Sequence, residues 1–179
     1  MSTFLINYTT PILAFGTILL NIVTILLFVV LVAPQASLSR FISRYITQRV
    51  VWGGFVVALG TIIGSLVYSD IIGFEPCLLC WWTRVLIYPQ VIVYAVGLYT
   101  KDTHMWLYSL VLGIASTLVS LYQMLLQYGL VSEGVCVATS VSCSKIYFTL
   151  FGYVTIPSMA LSAGVFFIII SLFIRKFNT

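Results

Sequence analysis

Long apolar segments separated by short polar ones make up most of this sequence. Five of them, at residues 11–33, 50–72, 81–99, 105–130 and 153–174, are long enough to be membrane-spanning helices. At about 1.5 Å per residue, the first reaches roughly 35 Å, which exceeds a hydrocarbon core of about 30 Å. A signal peptide is the alternative for this segment, but it lacks a basic start, is too long and ends at a poor cleavage site. The pattern therefore predicts an all-α integral membrane protein with five spans.

Residues 34–49, between the first two spans, have a polar and an apolar side. Arg40, Arg44 and Arg49 lie opposite aliphatic and aromatic residues that recur at helical spacing. This pattern is typical of an amphipathic helix at the membrane surface, and a solvated basic linker is the alternative. Either interpretation places the segment on the cytoplasmic side, because Lys and Arg accumulate in cytoplasmic loops.

Residues 131–152, between the last two spans, form the longest polar-leaning segment of the chain. Within this segment, the aromatic residues 145–151 predict either a short surface helix or a direct re-entry into the membrane. Small residues in the second span predict close approach to neighbouring helices. These residues are Gly53, Gly54, Gly60 and Gly64.

Basic residues are distributed unevenly between the two ends of the predicted spans. The outward segments carry only Lys145, and Arg84 lies just inside the membrane. This positive-inside bias predicts a multi-pass cell-membrane protein with its amino terminus outside and its carboxyl terminus in the cytoplasm. The predicted inward residues are Arg40, Arg44, Arg49, Lys101, Arg175 and Lys176.

Composition supports the membrane assignment and limits the function. Hydrophobic residues make up 61% of the chain. Charged residues make up 7%, whereas soluble domains contain about 25%, which argues against a water-soluble fold. The net charge of +4 is small and dispersed, so we expect no nucleic-acid partner.

The four cysteines form two local pairs, Cys77 with Cys80 and Cys136 with Cys143. The first is a Cys-x-x-Cys at the start of the third span, where the positive end of the helix dipole favours the reactive thiolate. Both pairs fall on the predicted outer side, where disulfides persist, and both spacings permit one. This pattern favours redox chemistry.

Three other interpretations of the cysteines stay open. Cysteines also pack as small buried hydrophobes, and two disulfides could simply clamp the outer loops. Four thiolates can also hold zinc in a tetrahedral site. The zinc interpretation is the least supported, because the Cys-x-x-Cys spacing occurs once and no histidine is nearby, so we expect no metal site.

Arg84 lies four residues after Cys80, and therefore one helical turn deeper and on nearly the same face. An ionisable residue inside a membrane is costly and marks a candidate functional site. Beside Cys80 it would stabilise a thiolate and could polarise the carbonyl of a lipid-soluble oxidant. Extension of the side chain to the lipid headgroups is the alternative.

Residues 77–84, Cys-Leu-Leu-Cys-Trp-Trp-Thr-Arg, followed by Tyr88-Pro89, resemble the motif of the disulfide bond formation protein B family (DsbB and its BdbC branch). Residues 151–157, at the entry to the last span, resemble it more weakly, and the likeness covers roughly residues 50–174. The order of the pairs, with Cys-x-x-Cys first, also fits this family, whereas the vitamin K epoxide reductase fold has the opposite order.

The resemblance implies a four-helix bundle of spans two to five that passes electrons from an extracytoplasmic thioredoxin-fold oxidase of the DsbA type to the membrane quinone pool, either ubiquinone or menaquinone. By motif position, Cys136 would be attacked by the partner and Cys143 would relay to Cys77. Cys80 would then reduce the quinone, with Arg84 holding it. A non-enzymatic membrane protein with two structural disulfides is the alternative function, and a quinone-coupled reductase is a third.

Two features depart from the family pattern. Residues 1–49 add an N-terminal transmembrane helix and linker to the family-like unit at residues 50–179, and the sequence assigns this addition no role beyond anchoring or partner contact. The loop pair, Cys136 and Cys143, is closely spaced, which predicts a compact disulfide of its own. The joint role of these two cysteines is therefore better defined than their individual order.

Overall fold

A computed structural model of the chain describes residues 2–32, 39–101, 104–132, 134, 136 and 141–178, with side chains for 8–32, 49–101, 104–132, 134, 136 and 141–177. Within these residues the chain forms five long helices, each long and apolar enough to cross a membrane. This confirms the predicted all-α membrane fold. The helices are α1 (Ser2–Val32), α2 (Ser39–Leu66, continued by π-helical turns over Val67–Ile71), α3 (Leu78–Thr100), α4 (Met105–Gln127) and α5 (Ile156–Asn178).

The surface helix predicted for residues 34–49 is not a separate element. From Ser39 onward it is the first part of α2, which runs without a break through residue 49. The reason is local: residues 39–50 contain neither Gly nor Pro, so nothing interrupts the backbone hydrogen bonds. Residues 34–38, and the side chains of Arg40 and Arg44, lie outside the described part of the chain.

The loop between α4 and α5 also differs from prediction. Helix α4 ends at Gln127 rather than near residue 130, because Gly129 adopts a left-handed conformation and the amide of Leu130 bonds back to the Leu125 carbonyl. Residues 145–151 do not form the predicted surface helix, and the alternative, a direct re-entry into the membrane, stays a prediction. They are an irregular segment that ends in a turn closed by backbone pairing of Leu150 with Val154.

Helix α5 lies at the centre of the bundle and packs against α1, α2 and α4. Its approach to α4 depends on two glycines, because a Cβ atom at Gly113 would lie 3.3 Å from the Ile168 nitrogen and one at Gly164 would lie 3.1 Å from the Thr117 nitrogen. Half of the α5 span is buried in the protein, compared with 11% of the α1 span. Helix α1 is therefore peripheral and presents most of its surface to lipid.

Only part of the glycine prediction for α2 is correct. A Cβ atom at Gly54 would lie 2.5 Å from the Tyr94 ring, and one at Gly64 would lie 3.3 Å from Leu13. At Gly53 and Gly60, however, a Cβ atom would meet no atom of the described residues within 4 Å. These two glycines leave open space instead of bringing helices together.

Candidate redox site

The Cys-x-x-Cys lies at the amino-terminal end of α3. Cys77 is the N-cap residue and Cys80 lies in the first turn, with their Sγ atoms 3.1 Å apart. Pro76 precedes the pair, and the extended backbone of Cys77 begins the helix at Leu78. Unpaired backbone amides of this first turn carry partial positive charge, which stabilises a thiolate there.

Gln123 of α4 reaches across the bundle to this pair. Its Nε2 atom donates to the Sγ atom of Cys77 at 3.3 Å and to that of Cys80 at 3.2 Å. The side chain is only 5% exposed, so these two hydrogen bonds form away from water. Sequence reasoning missed Gln123; its signal was an uncharged polar side chain inside an apolar span, which is costly to bury unless it has partners.

The two thiols of the pair are not equivalent. The hydrogen bond to the Cys80 sulfur is the main influence on Cys77, and it raises the pKa of the Cys77 thiol, with burial acting in the same direction. Cys80, unlike Cys77, lines a cavity between the helices. The geometry thus favours a protonated Cys77 and a reactive sulfur at Cys80.

Cys136 and Cys143 form a disulfide in the loop between α4 and α5, with Cα atoms 6.0 Å apart. The compact loop disulfide predicted from the sequence is therefore present. Both cysteines are buried, and they pack in one apolar cluster with Cys77, Leu79 and Leu126, while Cys80 borders it. All four cysteines thus gather at one end of the bundle.

Arg84 is held by a residue of the preceding helix. Its Nε atom donates to the Ser65 Oγ atom at 2.9 Å and its Nη2 atom donates to the Ser65 carbonyl at 3.2 Å. The guanidinium also lies over the Trp81 ring, 5.2 Å from the ring centre. These contacts hold the charge in the wall of the same cavity as Cys80.

An aromatic contact joins the outer loop to the segment that precedes Cys77. The Tyr147 hydroxyl donates to the Glu75 carbonyl at 2.7 Å, and the Tyr147 ring stacks on Phe74 with centroids 4.4 Å apart. Burial raises the pKa of Tyr147, so the phenol keeps its proton at neutral pH and continues to donate. The disulfide-bearing loop is therefore fastened to the segment that leads into Cys77.

A cavity of about 320 Å³ opens beside Cys80, with largely apolar walls supplied by α1, α2, α3 and α5. Its polar lining at the cysteine end includes Arg84, Gln123 and Tyr68. The volume falls in the range of sites for small organic ligands. Within the described residues, no group of three or more His, Cys, Asp or Glu side chains is placed to hold a metal ion.

Comparison with known proteins gives a family match. The family described as disulfide bond formation protein DsbB matches residues 47–174. The probable disulfide formation protein C of Halalkalibacterium halodurans is 34% identical over 130 residues, which are 72% of this chain and 95% of that relative. The disulfide bond formation protein C of Bacillus subtilis is 38% identical over 120 residues, 66% of this chain and 86% of that relative.

A third relative is named probable disulfide formation protein, from Oceanobacillus iheyensis. It is 40% identical over 119 residues, which are 65% of this chain and 79% of that relative. No solved structure matches the chain at a significant level. The family match begins at residue 47, within α2, so α1 lies outside it.

Proposed function

Because the chain belongs to the disulfide bond formation protein DsbB family, we propose that it is a membrane thiol:quinone oxidoreductase that generates disulfides for an extracytoplasmic partner. Family membership makes it a multi-pass membrane protein of disulfide formation; the acceptor, the partner and the residue roles are our proposal. The observation that carries it is the gathering of two cysteine pairs beside one apolar cavity, with Cys80 in the cavity wall.

The proposed relay is a series of thiol–disulfide exchanges. A thiolate of the partner attacks Cys136, and Cys143 leaves as a thiolate; the partner's second thiol then releases the oxidised partner. The Cys136–Cys143 dithiol next reduces the Cys77–Cys80 disulfide, with Cys143 attacking Cys77. Each exchange breaks one S–S bond and forms one, so two electrons pass inward, the Cys136–Cys143 disulfide is restored and the Cys77–Cys80 pair is left as a dithiol.

The cavity residues fit a lipid-soluble quinone, either ubiquinone or menaquinone. The walls of the cavity are largely apolar, as a molecule dissolved in the bilayer requires. Arg84 provides a fixed cation for a carbonyl oxygen of the quinone. Gln123 holds Cys80 at the edge of this space. A bound quinone would supply the sink for the two electrons and two protons released as the Cys77–Cys80 disulfide re-forms.

The proposed partner is a thioredoxin-fold oxidase of the DsbA type, which requires the cysteine end of the bundle to face outward. The distribution of charge supports that orientation. Lys101, Arg175 and Lys176 lie at the end of the bundle opposite the cysteines, where α3 and α5 terminate. From the positive-inside rule we infer that the cysteines face outward, with the amino terminus of α1 on the same side.

A thiol count under anaerobic conditions tests the proposed function. The purified, fully reduced protein is mixed with a soluble ubiquinone or menaquinone analogue, and lost thiols are counted against quinone reduced. We expect four thiols to disappear for two equivalents of quinone. The Cys77→Ser/Cys80→Ser double variant should lose none, whereas Cys136→Ser/Cys143→Ser should lose two thiols for one equivalent.

The same measurement separates the proposal from the structural alternative. Disulfides that only clamp the outer loops would ignore quinone, so no loss of thiols in the wild-type protein would reject the oxidase. A loss of two thiols in the wild type would show that Cys77 and Cys80 react with quinone while the loop pair does not communicate with them. That result would overturn the relay.

A further inference from the structure

Helix α1 lies outside the family match, yet it forms one wall of the cavity beside Cys80. Leu13, Gly16, Thr17 and Leu20 line the cavity from α1. The facing wall comes from α2, with Val57, Gly60, Thr61 and Gly64 among its lining residues. The added helix therefore contributes to the binding space and is more than a separate anchor.

Contacts to α5 and to the outer loop hold α1 in this position. At one end the Lys176 ammonium donates to the Leu31 carbonyl at 2.6 Å, and nearer the other end the Phe15 ring meets Phe151 edge to face, with centroids 5.7 Å apart. Helix α2 packs independently on α3 and α5. Since α1 and α2 are both supported by α5, the space between them is framed by fixed walls.

The space between these two helices is a slot with open glycines. At Gly16 on α1 and Gly60 on α2, an added Cβ atom would meet nothing within 4 Å in the described part of the chain. The hydroxyls of Thr17 and Thr61 each bond to a carbonyl of their own helix at 2.8 Å, which keeps the walls apolar. This part of the cavity suits a flexible hydrocarbon chain.

The end of the cavity near the cysteines has polar groups instead. Tyr68 lines the cavity and is 6% exposed. Among the described residues its buried hydroxyl has no hydrogen-bond partner of standard geometry, although the Thr10 hydroxyl is its neighbour. Arg84 is fixed one helix away by Ser65, three residues before Tyr68. Gly60 lies eight residues before Tyr68 along α2, which is roughly 12 Å deeper. The cavity is thus polar at one end and apolar at the other.

We propose that the slot between α1 and α2 binds the isoprenoid tail of the quinone, so that the added helix determines which tails are accepted. This inference rests on the proposed function, because the head group at Arg84 and the tail in the slot must belong to one molecule. A phospholipid acyl chain is the competing occupant. It would fill the slot without making quinone affinity depend on the tail.

Binding measurements on two slot variants test the inference. Thermal stabilisation of the detergent-purified protein gives dissociation constants for quinone analogues with no tail, one isoprenoid unit or two. We expect the wild type to bind the two-unit analogue at least tenfold more tightly than the tailless one. Gly16→Leu and Gly60→Leu should reduce that gain below threefold and leave the affinity for the tailless analogue unchanged.

Gly53→Leu is the matched control, because Gly53 also lies on α2 and meets nothing within 4 Å but does not line the cavity. It should keep the full tail-dependent gain. The inference is wrong if Gly16→Leu and Gly60→Leu keep the gain as well, or if the wild type binds all three analogues equally. Failure of the wild type to bind any quinone would instead reject the proposed function, and with it the tail slot.

A second measurement does not depend on the folding of any variant. A quinone analogue with a photoreactive group at the end of a two-unit tail is cross-linked to the wild-type protein, and the labelled peptides are identified. Labelling of α1 around residues 16–20, or of α2 around residues 57–60, would support the slot. Labelling confined to α3, α4 or α5 would overturn it.

Discussion

The amide of Gln123 lies 3.2 Å from the sulfur of Cys80 and donates to it across the bundle, from α4 to α3. The same nitrogen donates to Cys77 at 3.3 Å, so one side chain holds both sulfurs of the pair. A hydrogen-bond donor stabilises a sulfur more when it is a thiolate than when it is a thiol. Gln123 should therefore act as a positioning residue that favours the reactive form of the pair.

Replacing Gln123 by Met should slow the reaction of the reduced pair with iodoacetamide at pH 7 by about tenfold. Methionine keeps a similar volume but offers no donor. A hydrogen bond to a charged group contributes about 1.5–3 kcal/mol, and about 1.4 kcal/mol corresponds to a factor of ten. The measurement is the alkylation rate, followed by mass spectrometry of the peptide with residues 77–80.

Gln127→Met is the control for this change. Gln127 lies one turn further along α4 and donates to the Lys145 carbonyl at 3.4 Å rather than to a cysteine. Its replacement should leave the alkylation rate within twofold of the wild type. Equal rates for the Gln123→Met and wild-type proteins would show that the amide only fills space.

The pKa of Cys77 provides a second test. Its hydrogen bond to the Cys80 sulfur raises the pKa by stabilising the protonated thiol, so Cys77 should stay largely unreactive through neutral pH. Replacing Cys80 by Ser removes that sulfur and should shift the midpoint of Cys77 alkylation to lower pH. In the wild type we expect the pH midpoint of Cys77 alkylation to lie above the ordinary cysteine pKa of about 8.5. In Cys80→Ser the midpoint should be lower than in the wild type. An unchanged or higher midpoint would contradict the coupling.

Arg84→Ala should weaken quinone binding by roughly tenfold to a hundredfold, the range that a lost charge-assisted hydrogen bond of about 1.5–3 kcal/mol allows. Ser65→Ala keeps the charge and removes one partner of the guanidinium, so it should cost less, about threefold to fivefold. Both losses of affinity are measured as dissociation constants for a tailless quinone analogue. The formation of the Cys136–Cys143 disulfide should be unaffected.

Arg175→Ala controls for loss of a cation, since Arg175 lies over the Trp106 ring at the other end of the bundle. Quinone binding equal to that of the wild type is expected. If Arg84→Ala also binds normally, Arg84 has only a structural contact with Ser65, and its proposed role at the carbonyl is wrong.

Much of this fold could be predicted because the signals are local. Each span is an unbroken apolar segment, and the four-residue interval from Cys80 to Arg84 places both on one helix face, whatever the rest of the bundle does. Both now line one cavity. The two helix ends that were predicted wrongly also depend on local features. Helix α4 ends early because Gly129 adopts a left-handed conformation, and α2 extends back to Ser39 because no helix-breaking residue precedes its apolar part.

The contacts between helices could not be predicted in the same way. Gln123 and Cys80 are 43 residues apart, and no spacing rule connects side chains on different helices. Gly54 and Gly60 look alike in the sequence, yet one touches Tyr94 and the other faces open space, because each outcome depends on a neighbour that the local pattern does not identify. The contribution of α1 to the cavity follows from its packing on α5, which is likewise nonlocal.

The order of the relay can be tested by trapping the partner. If the partner's thiolate attacks Cys136, then Cys143→Ser should accumulate a mixed disulfide between Cys136 and the partner, because the leaving thiol that would resolve the complex is absent. The Cys136→Ser variant should accumulate little mixed disulfide with the partner. Both cysteines are buried in the cluster that contains Cys77, at 2% and 1% exposure, so access alone does not favour either one. Each variant is mixed with an oxidised thioredoxin-fold oxidase, so that its remaining loop thiol exchanges with the partner's disulfide, one S–S bond breaking as the mixed one forms. Non-reducing electrophoresis shows the complex as a shifted band, and a trapped complex in Cys136→Ser alone would reverse the assigned order.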